Sequence, residues 1–166
     1  MIKLFAAVVM AAALSFGAGP ASAQDVVRHK LPGSNFPIAL AVEVPPGKTV
    51  VYLSGTVPPP LDDKTQNDTV AAFGDTRTQT VAVLAAIERN LKRLGLATPD
   101  VIKMQVFLVG DPAKGGRMDF SGFMEGYTQF FGTPQQPNLP ARSVVQVAAL
   151  ANPGWLVEIE VTAVRP

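Results

Sequence analysis

The chain has 166 residues, 48% apolar and 16% charged, with a formal net charge of +1. That apolar content is enough to bury one core and too high for a disordered chain, and the length fits one domain. The absence of cysteine excludes disulfides, thiolate metal sites, a cysteine nucleophile and a lipoprotein signal. The single histidine, His29, leaves little from which to build a His-rich metal site or a Ser-His-Asp triad. No basic run stands in the sequence, so a clustered cationic face for nucleic acid is not expected.

Residues 1–23 read as a secretory signal. Lys3 is followed by an apolar run from Leu4 to Ala18, and Ala21-Ser22-Ala23 offers the small-x-small pattern of a signal-peptidase site. The run is shorter than the roughly 20 residues that span a bilayer. Cleavage after Ala23 removes one of 14 basic residues against 13 acidic ones and leaves residues 24–166 formally neutral, as a single domain. The expected location is periplasmic or secreted, with no membrane partner after cleavage and no nucleic-acid partner.

Residues 24–37 carry charges and two prolines and read as an irregular lead-in. Ala39–Val44 and Thr49–Leu53 read as strands joined by Pro45-Pro46-Gly47-Lys48, so a hairpin ending at Ser54-Gly55 is expected. Residues 56–74, with Pro58-Pro59-Pro60, read as a long solvated loop. The first helix is expected over Thr76–Leu94, with Asp75 as cap, Gly95 as terminator and Val81, Leu84, Ile87, Leu91 and Leu94 as its apolar stripe. Val101–Val109 reads as a strand and Met118–Phe131 as a second helix. Phe120, Phe123, Met124, Tyr127, Phe130 and Phe131 share one face of that helix, which is more simply a core stripe than a cofactor box. Ser143–Leu150 and Trp155–Val164 complete the strands. In the last, Val157, Ile159, Val161 and Ala163 alternate with Glu158, Glu160 and Thr162.

The order ββαβαββ predicts an α+β fold with two helices on one face of a sheet. Val50, Val51 and Leu53, and Val144, Val145 and Val147, are apolar on both strand faces. Two helices cover one face only, so the other is expected to meet a further subunit.

Few residues remain that could carry chemistry. Arg142, at the mouth of a Val-rich strand, can hold a carboxylate through two parallel hydrogen bonds or form an ordinary surface ion pair. Glu158 and Glu160 share a strand face and can serve acid-base work or simply face solvent. Ser54-Gly55 can offer a hydroxyl and a backbone N–H or mark a turn. Their surroundings carry a resemblance. Val50–Gly55 with Thr56-Val57-Pro58 is similar to the "VxxSGQxP" segment of the Rid (reactive intermediate deaminase) family. Thr78-Gln79-Thr80 with Leu91–Leu96, Asp100–Leu108, Tyr127–Phe131, Pro140-Ala141-Arg142-Ser143 with Val145, Val147 and Leu150, and Glu158-Ile159-Glu160 with Ala163-Val164 resemble five further family segments in the same order. The resemblance spans about residues 36–165.

The resemblance implies a chorismate-mutase-like α+β fold with a mixed sheet and a homotrimeric barrel holding sites in clefts between subunits. It implies hydrolytic deamination of 2-imino or enamine acids to 2-keto acids and ammonia, with no metal and no organic cofactor. Arg142 matches the family's carboxylate-binding Arg, Glu158 the Glu associated with the hydrolytic water, and Ser54 and Gly55 the pocket-lining pair. Val144, Met124 and Tyr127 fall on other pocket positions. Val144 stands where Cys is frequent, Met124 where Asn is frequent, and Asn35-Phe36-Pro37-Ile38 replaces a Gly-Pro-Tyr pattern, so fewer polar groups are expected in the pocket. A non-catalytic carboxylate binder and an endoribonuclease are the competing functions. Retained Arg142 and Glu158 favour the deaminase over the first, and neutrality with one histidine disfavours the second.

Overall fold

The computed structural model describes residues 25–62 and 68–166. The expected leader and its cleavage point lie outside those residues, as does 63–67 in the long loop. Among the described residues no helix is long and apolar enough to cross a membrane.

Six strands form one mixed sheet: β1 (Val27–Lys30), β2 (Ala39–Glu43), β3 (Val50–Thr56), β4 (Val101–Val109), β5 (Ala141–Val147) and β6 (Val157–Val164), in the spatial order β1-β2-β5-β4-β6-β3. β4 runs parallel to β5 and antiparallel to β6, while β3 closes the far edge against β6. Helices α1 (Val70–Phe73), α2 (Thr76–Arg93) and α3 (Phe120–Tyr127) complete the chain, together with short 3-10 turns at Thr98–Asp100 and Pro112–Lys114.

The core lies between the sheet and α2 with α3. Val83, Leu84, Ile87 and Leu91 of α2 meet Met104, Val106 and Leu108 of β4 and Val157, Ile159 and Val161 of β6, joined by Phe123 and Tyr127 of α3. The period-two alternation of β6 holds as expected, its apolar set inward and Glu158, Glu160 and Thr162 outward. Asp75 caps α2 by accepting the Thr78 N–H at 2.8 Å, and Gly95 turns the chain at φ +69°. The buried side of α2 is rotated from the expected stripe: Val83 is fully buried, Val81 only half-buried and Leu94 exposed. Gln79 also lies buried there. Its amide donates to the Gly74 and Gly154 carbonyls at 2.9 Å each and accepts the Leu156 N–H at 2.7 Å, tying the last turn before β6 to the helix.

Several expected boundaries move. The lead-in contains β1, whose run of three basic residues hides it from hydrophobic periodicity. It is an edge strand held by pairing with β2, and Arg28 donates to the carbonyls of Pro99, Val101 and Leu139 at 2.8, 3.0 and 2.8 Å. The long loop contains the one-turn α1. The expected β2–β3 hairpin does not form. β2 pairs with β1 and, at Ala39, with β5, whereas Val51 and Leu53 of β3 pair with Ala163 and Val161. The proline-bearing turn reverses nothing by itself, and partner choice goes to the strand whose inward residues match. α3 is shorter than expected. It is capped by Asp119, whose carboxylate accepts the Gly122 N–H at 3.1 Å, and beyond Tyr127 the chain tightens into three-residue turns that still bury Phe131. β5 begins at Ala141, which puts Arg142 inside the strand.

The sheet face away from the helices is mixed rather than apolar. Val51, Leu53 and Val144 turn toward the core, and the open face presents Tyr52, at 80% exposure, and Val145 beside Lys103, Gln105, Ser143, Glu160 and Thr162.

Candidate functional site

The sheet register separates the expected site residues into two groups. Arg142 pairs with Met104 and Val144 with Val106, so both project from the helix-covered face. Glu158 pairs with Phe107, between the inward Val157 and Ile159, and so projects from the open face. The two residues stand two strands and three register positions apart, about 14 Å when strand spacing and rise are combined, and project from opposite faces of the sheet.

On the covered side Arg142 enters a row of aromatic rings. Phe120, Phe123, Tyr127 and Phe131 follow one another along and beyond α3 with centroids 5.0–6.1 Å apart, and Phe36 stacks on Phe120 at 6.4 Å. The Arg142 Cζ lies 4.1 Å from the Tyr127 centroid, 5.0 Å from Phe123 and 5.6 Å from Phe36. These are cation–π distances. Nη2 donates to the Met124 thioether at 3.2 Å, a weak acceptor, and Nη1 is buried with no partner. The Tyr127 hydroxyl donates to the Pro37 carbonyl at 2.9 Å and thereby fixes the loop that carries Phe36. Burial lowers the Arg142 pKa, opposed by Tyr127; burial pushes Tyr127 up to about 12. A desolvated guanidinium with a donor left unused has the chemistry to take an anion that brings two oxygens to it.

On the open side Glu158 packs against Gly55. A Cβ at Gly55 would land on the Glu158 Oε1 atom, so the glycine makes room for the carboxylate. Gly55 lies in the bulge of β3 between Leu53 and Thr56, where the ladder to β6 is interrupted. Ser54 faces a cavity of about 310 Å³ lined also by Tyr52, Lys103, Gln105, Glu160 and Thr162. Among the described residues no group of three or more His, Cys, Asp or Glu could hold a metal.

Arg142, Val144, Met124 and Tyr127 are therefore brought together, as are Glu158, Ser54 and Gly55, but the two groups do not meet within one chain. The sequence reading did not assign Phe36 and Phe123 to the site. The signal for Phe36 was its place in the segment that departs from the Gly-Pro-Tyr pattern; Phe123 carried none beyond the core stripe.

The chain is 31% identical over 143 residues to a RutC family protein of Haemophilus influenzae, covering 86% of this chain and 97% of that one. Escherichia coli TdcF, solved with bound serine, is 31% identical with a TM-score of 0.55, over 86% of this chain and 99% of that one. A protein of the conserved Rid family from Yersinia pestis, 24% identical, shares the fold with a TM-score of 0.58, over 76% of this chain and 85% of that one. The six motif segments resembling Rid proteins thus recur in a chain with their α+β architecture. With the model of the family described as Endoribonuclease L-PSP matching residues 37–165, the chain belongs to that family.

Proposed function

We propose that the protein hydrolyses 2-imino or enamine acids to 2-keto acids and ammonia, in clefts between copies of a homotrimer, after export and removal of residues 1–23. The observation that carries this reading is the buried, unpartnered Nη1 of Arg142. A charged donor is held out of water with nothing to bond, an arrangement that costs stability unless an anion uses it. The bound serine of TdcF, an amino acid with a carboxylate, supports the same ligand class. Opposite sheet faces for Arg142 and Glu158 support a site with Arg142, Met124, Val144 and Tyr127 from one copy and Glu158, Ser54 and Gly55 from the next.

In that cleft Arg142 fixes the substrate carboxylate, which supplies proximity. Glu158 takes a proton from a water as its oxygen bonds to the imine carbon. Protonated Glu158 returns that proton to the imine nitrogen, giving the carbinolamine; the carbinolamine hydroxyl proton then passes to nitrogen as the C–N bond breaks, ammonia leaves and the carbonyl of the 2-keto acid forms. The chemistry needs no electron acceptor. Hydrolysis of freshly generated 2-aminoacrylate and related imino acids, followed as release of 2-keto acid, tests the reading. Arg142→Ala and Glu158→Gln should both abolish the catalysed rate; a rate unchanged in folded Arg142→Ala protein overturns it.

A further inference from the structure

We infer that the ligand of the Arg142 half-site is a carboxylate bearing a large apolar side chain, preferably an aromatic one. The inference rests on the carboxylate reading of Arg142 and adds what must follow the carboxylate. Four groups surround the guanidinium: the rings of Phe36, Phe123 and Tyr127 and the thioether of Met124. The one hydroxyl among them already donates to the Pro37 carbonyl. The Tyr127 oxygen is the one further polar side-chain atom beside the guanidinium, so a ligand hydroxyl or ammonium there exchanges water for few hydrogen bonds, Ser54 and Glu158 coming only from the next copy across the cleft. Val144, on the same strand face two residues on, is apolar as well.

The aromatic row also has a direction. Phe123 and Tyr127 are fully buried, whereas Phe36 and Phe120 at its other end are 40% and 36% exposed. Of the three rings on the guanidinium Phe36 is the exposed one, so a carboxylate on Nη1 would lay its substituent against Phe36 and its stacking partner Phe120. A ring or branched alkyl group there removes apolar surface from water on both partners, and a methyl group removes little. Met124 adds an adaptable wall that suits a bulky substituent.

Equilibrium binding of pyruvate, hydroxypyruvate and phenylpyruvate to the folded protein, measured by calorimetry, tests this. Phenylpyruvate should bind roughly tenfold or more tighter than pyruvate, and hydroxypyruvate no tighter than pyruvate. Arg142→Ala should lose binding of all three. Phe36→Ala should cut the phenylpyruvate preference to about threefold or less, and Phe120→Leu should reduce it through the neighbouring ring. Equal affinities, or a preference for hydroxypyruvate, with binding still lost in Arg142→Ala, would overturn the apolar preference and leave the carboxylate reading standing. Binding that survives in Arg142→Ala, or no binding of any of the three, would overturn both.

Discussion

At the residue scale, Arg142 holds a charge among ring faces, a thioether and the Tyr127 hydroxyl, with no carboxylate beside it among the described residues. Three cation–π contacts offset part of its desolvation, and the buried Nη1 remains uncompensated. Arg142→Met should therefore keep or raise stability, by up to about 1–3 kcal/mol, while removing carboxylate binding. Urea midpoints check the first part; a loss larger than about 2 kcal/mol would show that the guanidinium is structural. Arg142→Lys should lose one to two decades in turnover, because an ammonium cannot reproduce the two-point grip and a charge-assisted hydrogen bond contributes roughly 1.5–3 kcal/mol. Tyr127 gives a pH signature. Burial raises its phenol from 10.0 to about 12, so the folded chain holds the proton more tightly than the unfolded one. That stability is fully present below pH 10 and is lost as pH rises from about 10 to 12, amounting to about 2–3 kcal/mol. Tyr127→Phe should flatten the urea midpoint across that window, and an equally steep fall in the variant would assign the alkaline loss to other groups.

At the element scale, two glycines set close approaches. In α3 a Cβ at Gly126 would meet the Thr80 Cβ and Cγ2 atoms at 2.8 Å, so this glycine lets α3 lie directly on α2. Gly126→Ala should destabilise the fold by about 1–3 kcal/mol, read as a lower urea midpoint, by forcing apart the two helices that cover the core. Gly55→Ala acts elsewhere. Its Cβ displaces the Glu158 carboxylate at the bulge of β3, on the face without helices. Turnover should fall by an order of magnitude or more while the far-ultraviolet spectrum stays unchanged, since misplacing a catalytic base by about 1 Å can lower the rate a hundredfold. Equal turnover in Gly55→Ala would remove Glu158 from the proposed chemistry.

At the scale of the whole molecule, one sheet separates the two halves of the proposed site. If Arg142 of one copy works with Glu158 of the next, neither half acts alone, and two dead variants can repair each other. Arg142→Ala and Glu158→Gln, each inactive, should regain about a quarter of wild-type activity when unfolded together in equal amounts and refolded. In a mixed ring about one cleft in four receives both intact halves. No recovery, in mixtures shown by mass to contain both chains, would place the two residues in a single-chain function or in none. Light scattering should report a trimer, and the open face with Tyr52 and Val145 flanking Lys103, Gln105 and Glu160 is the surface expected to be covered in it.

The sequence by itself determined what repeats locally. α2 with its Asp75 cap and Gly95 stop, β4, and the alternation of β6 were all legible, because capping, helical period and strand pleat act over a few residues. The grouping of motifs in order also made the family legible. Tertiary structure decided the partners. β1 is a strand only because β2 and three carbonyls receive it, and β3 pairs with β6 rather than with its neighbour in sequence. The same holds for the site. Arg142 and Glu158 each lie in a readable motif, but the faces from which they project depend on the register of β5 and β6 on β4, and a one-residue shift in either would reverse them. The aromatic surroundings of Arg142 likewise come from the packing of α3 and the loop at Phe36, which bring together rings spread over some ninety residues of chain.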